Sequence, residues 1–132
     1  MRVYLVRHAE AAPGEPDALR PLTPKGREQA RALGRRLVAE GVAPEAILTS
    51  PLLRARQTGD ELARATGGQA ETDERLRPGA TASALRTAVA GRGERVLVVG
   101  HQPDCGRIAA ELTGVPEPPF PAAGMVPIDL PA

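Results

Sequence analysis

The sequence predicts a layered α/β fold around a mainly parallel sheet. Three observations carry this. Apolar, β-branched runs alternate with helix-like stretches from one end of the chain to the other. The strongest run, "RVLVVG" (95–100), is continuously apolar, as a strand covered on both faces must be. The chain has 132 residues, 42% of them apolar and 25% charged, an ordinary soluble composition that can bury a core without disulfides. That length suits a single domain spanning residues 1–132.

The elements follow in order. "RVYLV" (2–6) reads as a buried strand. "LTPKGREQARALGRRLVAEG" (22–41) reads as a helix: Thr23 can cap it, Pro24 suits the first helical position and Gly41 the end. Ala30, Leu33, Leu37 and Val38 are placed on one apolar face. "AILTS" (46–50) is a second, short strand. Ser50-Pro51 repeats the cap-plus-proline start and opens a helix to about Thr66. "TASALRTAVAG" (81–91) is a third helix, 95–100 the central strand, and "PDCGRIAAELTG" (103–114) a fourth helix. Residues 116–121 hold four prolines and read as a loop, and "VPIDL" (126–130) as a last strand.

Composition narrows the partners. Net charge is +1, from 17 basic and 16 acidic residues, which gives no support for nucleic acid or an acidic membrane. Tyr4 and Phe120 are the only aromatic residues, too few for base stacking. Apolar runs are too short to span a bilayer, and the chain enters strand-like sequence at once, with no signal peptide ahead of it. The lone Cys105 rules out an internal disulfide and suits a reducing compartment. A cytoplasmic monomer is the expectation.

Three strands end in polar residues of a particular kind. The first ends in Arg7-His8. The second ends in Ser50-Pro51, with Arg54 about one turn into the next helix. The central strand ends in Gly100-His101. Ligands of open α/β sheets bind beyond the carboxyl ends of the strands, so both histidines and two arginines are expected to share one crevice. Arginines and helix N-termini there favour an anion with several oxygens, most simply phosphate. Arg54 opposes the dipole of its own helix, which an anion at the helix start would explain. An imidazole among cations is pushed toward its neutral form and keeps a lone pair for nucleophilic attack. The expected chemistry is attack by His8 on a phosphoryl group, with the arginines on its equatorial oxygens and His101 hydrogen-bonded to the same group.

Other chemistries fail on inventory. Two His and one Cys do not make a zinc site without carboxylates. Cys105 has no arginine six positions on, so a cysteine-phosphatase loop is missing, and Cys105 reads as a small buried apolar residue. There is no Gly-rich phosphate loop with lysine. Ser50 is next to a proline at a helix start, which favours a structural role over that of a nucleophile.

The blocks "VRHAEA", "RPLTPKGREQA", "ILTSPLLRARQT" and "VLVVGHQPD" stand in an order that resembles the histidine phosphatase superfamily, also called phosphoglycerate mutase-like. The "RPLTPKG" stretch and the short chain look most like the SixA-type phosphohistidine phosphatases. The resemblance covers nearly the whole chain. It implies a three-layer α/β/α fold, His8 as the phosphorylated nucleophile, and Arg7, Arg54 and His101 as the rest of the phosphate pocket. Arg20, before "PLT", matches a further arginine near that pocket. No cofactor or metal is implied. Two departures matter. Ala9 replaces the glycine of the family's commonest Arg-His-Gly motif. Pro78 stands where many relatives keep a catalytic Glu, and Glu74, nearby, reads as a solvated loop residue.

The resulting expectation is a metal-independent phosphatase working through a phosphohistidine intermediate. Its substrate would be phosphohistidine on a protein such as a histidine phosphotransfer domain, since a short chain with few loops leaves an open pocket. The rivals are a small-molecule phosphomonoesterase or mutase, and a module that binds phosphate without turnover.

Overall fold

The computed structural model describes residues 1–131. Five strands form one sheet in the order β3-β2-β4-β1-β5. They are β1 (Arg2–Arg7), β2 (Ala46–Thr49), β3 (Ala70–Thr72), β4 (Arg95–Gly100) and β5 (Met125–Asp129). All neighbouring pairs are parallel except β1 with β5, which is antiparallel. The helices are α1 (Pro24–Ala39), α2 (Leu53–Thr66), α3 (Ala82–Val89) and α4 (Asp104–Thr113). Single 3₁₀ turns stand at Asp17–Leu19 and Glu74–Leu76.

Strand alternation divides the core into two layers. Val3, Leu5, Leu48, Val96 and Val98 face one way and pack on Leu85, Ala88 and Val89 of α3 and Ile108 and Ala109 of α4. Tyr4, Val6, Ile47, Leu97 and Val99 face the other way, onto Leu33 and Leu37 of α1 and Leu62 of α2. Each apolar side chain of β1 and β4 therefore contributes to one layer or the other, and the predicted continuous apolar runs result. Burial of each such aliphatic group contributes about 1.5–3 kcal/mol. Between α1 and α2, the Glu61 side chain is only 2% exposed and lies 2.6 Å from Arg64 and 3.1 Å from Arg31. One carboxylate thus ties the two helices together at the layer's rim.

Most predicted boundaries hold within two residues. Thr23 caps α1 by accepting from the Gly26 N–H at 2.9 Å. Gly67 ends α2 and Gly114 ends α4, at φ of 83° and 74°, backbone that L side chains rarely adopt. Two expectations need correction, and one strand is additional to those predicted. Val38 is 53% exposed rather than on the buried face of α1. The N-cap of α2 is Leu52, with no side-chain cap bond, so Ser50 does not cap that helix. Strand β3 is an additional edge strand, half exposed and without an apolar run.

Candidate active site

The sheet order places β1 and β4 side by side, with Arg7 opposite Gly100 in register. The residues that follow them, His8 and His101, therefore meet: their ring centroids are 5.1 Å apart in an edge-on arrangement. Strand β2 flanks β4 on the other side, and its end brings in Ser50 and, through α2, Arg54.

His8 is oriented by its own loop. Its Nδ1–H donates to the Ala9 carbonyl at 2.7 Å, which leaves the lone pair on Nε2. Burial, followed by the charges of Arg54, Arg7 and Arg20, lowers its pKa to about 4, so the ring is neutral at pH 7. The Ala9 backbone bond opposes this shift but does not outweigh it. Ala9 is completely buried, and its N–H donates to Thr58 Oγ1 at 3.0 Å. Thr58 in turn donates to the Arg54 carbonyl at 2.8 Å, which fastens the His8 loop to α2. Gln57 accepts from the Leu22 N–H at 2.8 Å and fixes the far end of the same loop. Gly26 on α1 leaves room for it: a Cβ there would stand 2.0 Å from the Glu10 carbonyl oxygen.

The loop between β1 and α1 closes on itself through a bridge between Ala11 and Leu22. The closure carries Asp17 and Arg20 over the site. Arg20 Nε donates to the Ala12 carbonyl at 2.8 Å, and its Nη1 lies 3.0 Å from Asp17 Oδ1. Arg54 is buried and donates to the Asp17 carbonyl at 2.9 Å and to Asp17 Oδ2 at 3.2 Å. The anion that balances Arg54 at the start of α2 is thus a carboxylate of the chain itself. Hydrogen bonds from Arg20 and then Arg54 hold the Asp17 carboxyl below its ordinary range. Sequence reasoning missed Asp17.

Arg7 extends from β1 and donates to the Phe120 carbonyl at 2.9 Å, while its buried Nε has no protein partner. Phe120 is buried in the core, so the proline-rich loop predicted at 116–121 has a definite task in placing that carbonyl. His101 is 4% exposed, with Nε2 2.8 Å from Ser50 Oγ and a buried Nδ1 that has no protein partner. Burial, then the neighbouring His8 and Arg54, push its pKa down to about 3. Cys105 is buried against the same layer and its thiol is pushed up to about 12, chiefly by burial, which suits the inert apolar role read for it.

All five predicted residues, Arg7, His8, Arg20, Arg54 and His101, therefore converge. Arg7, His8 and Arg20 line a cleft of about 310 Å³, shared with Glu10 and Ala122. Arg54 and His101 lie beneath its surface. Glu74 does not line the cleft; it is exposed and paired with Arg77.

Two neutral imidazoles at the ends of adjacent parallel strands, ringed by guanidinium groups, and the strand order above make this a phosphoglycerate mutase-like α/β fold. The chain belongs to the histidine phosphatase superfamily: residues 3–78 match the model of its branch 1. It is 40% identical over 117 residues to an uncharacterized protein of Picosynechococcus, covering 83% of this chain and 71% of the other. It is 35% identical over 127 residues to the phosphohistidine phosphatase SixA of Escherichia coli, covering 91% of this chain and 79% of that protein. The solved structure of the protein histidine phosphatase SixA complexed with tungstate superposes with a TM-score of 0.89 at 31% identity, covering 98% of this chain and 88% of that one. Among the described residues no helix is long and apolar enough to cross a membrane.

Proposed function

We propose that this chain is a phosphatase that dephosphorylates phosphohistidine on a protein, through a phosphoryl-enzyme intermediate on His8. The observation that carries the reading is His8 itself. Its Nδ1–H is tied to Ala9, its Nε2 lone pair is free, and the arginines that lower its basicity would also hold the incoming phosphoryl oxygens. In the first step Nε2 attacks phosphorus and the bond to the leaving group breaks. In the second, water attacks the phosphorus on His8, the P–N bond breaks, and inorganic phosphate leaves with the ring restored. Arg7, Arg20, Arg54 and His101 offset the charge on the equatorial oxygens in both steps. One domain, residues 1–132, would carry the whole reaction.

The cleft supports a protein substrate. His8 is half-buried and lines the cleft, so it can be reached from the surface. The likeness to SixA points the same way. Metal independence belongs to the reading and rests on the groups at the phosphoryl site, which are mainly cations and neutral imidazoles, with the nearby carboxylates of Asp17 and Glu10 engaged by Arg20 and Arg54 and by Thr23. The test is turnover of a phosphohistidine-bearing protein beside sugar phosphates, with and without EDTA. Turnover of the protein, undiminished by the chelator, is expected. Preference for sugar phosphates would support the monoesterase or mutase rival, and activity restored by added zinc or magnesium would overturn the metal-free chemistry.

The pH profile gives an independent check. Protonation of His8 removes its lone pair, so kcat/KM should fall as pH drops through about 4, not through the 6.5 of an ordinary histidine. A rate that already halves near pH 6.5 on a substrate that does not itself titrate there would show that His8 is not held neutral.

A further inference from the structure

We propose that Ser50 is a positioning residue that sets the tautomer of His101, so that His101 presents Nδ1–H to the phosphoryl group. This rests on the reading of the cleft as a phosphoryl site. Ser50 and His101 are both buried, with Ser50 Oγ 2.8 Å from Nε2. The same oxygen accepts the Leu52 N–H at 3.2 Å. The hydroxyl has one proton to place. If His101 carried its hydrogen on Nε2, Ser50 would accept twice, and its own proton would have no acceptor within the protein. A buried donor in that condition costs about 1–3 kcal/mol. If Ser50 donates to Nε2 instead, both the Ser50 hydroxyl and the Leu52 amide are satisfied. The imidazole hydrogen then sits on Nδ1, the atom that is buried and has no protein partner.

The placement follows from the sheet. Thr49 is in register with Val99, and the Ser50 N–H donates to the Val99 carbonyl at 3.0 Å, so the ends of β2 and β4 advance together. Ser50 is thereby held beside the residue that follows Gly100. In the folded protein His101 is neutral, which the lowered pKa of about 3 supports, and a neutral ring has one hydrogen to give. With that hydrogen on Nε2 it would serve Ser50. With it on Nδ1 it can serve an oxygen bound beside His8, 5.1 Å away between ring centroids. The proline after Ser50 suggested a helix cap, but the hydroxyl reaches across to the neighbouring strand end.

The test reads the tautomer directly. The chain holds two histidines, so ¹⁵N-labelled protein gives two ring systems, assigned with a His8→Gln variant. Long-range ¹H–¹⁵N spectra at pH 7 should show His101 with a protonated Nδ1 and an unprotonated, hydrogen-bonded Nε2. In Ser50→Ala the two tautomers should mix, and orthovanadate affinity and kcat/KM should each fall about tenfold, the scale of one lost hydrogen bond. Ser50→Thr keeps the hydroxyl and should restore the tautomer if it folds; if it does not, Ser50→Ala alone decides. A wild-type spectrum with hydrogen on His101 Nε2 would overturn the proposal. So would a Ser50→Ala spectrum with the wild-type tautomer, whatever happens to the rate. If the wild type turns over no phosphorylated substrate, the functional reading fails, while the tautomer and vanadate measurements still report on Ser50.

Discussion

A His8→Ala variant is expected to lose activity by about 10⁴-fold or more, the scale on which a covalent nucleophile acts. Rapid quench with a labelled substrate should leave an acid-labile, base-stable phosphoryl group on the wild-type protein and none on the variant. The size of the effect follows from what nothing else can supply. His101 is too buried and too weakly basic to take over, with its pKa near 3 and its Nε2 engaged with Ser50. The arginines have no lone pair to offer. Arg7→Ala or Arg54→Ala should cost less, about 10²–10³, because each removes one charge-stabilising group from a set. The His8 variant should fold, since the loop behind it is held by Thr58, Gln57 and the Ala11–Leu22 bridge rather than by the imidazole. A melting curve close to the wild type checks that. Turnover at the normal rate in folded His8→Ala would remove the nucleophile from the mechanism.

The core and the main cluster were legible because each depends on a local pattern. Strands β1 and β4 are covered on both faces, so their runs are continuous, and the polar residues that end them stand out against that background. Strand β3 has no such contrast: it spans three residues at the sheet edge, with Glu71 and Thr72 exposed. Val38 follows the buried Leu37, and one residue turns a helix by about 100°, enough to carry it off the core face. Asp17 was invisible for another reason. Its partners, Arg20 and Arg54, are set by how the loop from His8 to Leu22 folds back, and no period relates position 17 to position 54. Ser50 shows the opposite failure. A local rule was available, the helix cap, and it gave a plausible role that the β2–β4 register replaces with a contact to His101.

Phosphohistidine substrates should exceed unactivated alkyl phosphates by at least ~10² in kcat/KM, the lower end of a general-acid contribution. Alkoxide leaves poorly and needs a proton; a departing imidazole can take one on its own ring near neutral pH. The structure gives the alkoxide little help. The position at which the family resemblance implies an acid is Pro78, which has no proton to give, and the next residue is pinned elsewhere, with the Gly79 N–H donating to Asp104 at 2.7 Å. Glu74 is exposed and engaged with Arg77. The carboxyl group tied to Arg20 and Arg54 is Asp17, and they hold it ionised, so it has no proton to give at neutral pH. The sign is plain: a carboxyl lowered below its ordinary range donates only in stronger acid, and raising pH cannot recruit it. Aryl phosphates should fall between the two classes, because phenolates leave without protonation. Glu74→Gln should leave phosphohistidine turnover nearly unchanged. The same ranking should persist in Asp17→Asn, whatever that change does to phosphate affinity. Equal efficiency on alkyl phosphates, or collapse of alkyl turnover alone in Glu74→Gln or Asp17→Asn, would reveal a working acid and move the protein to the monoesterases.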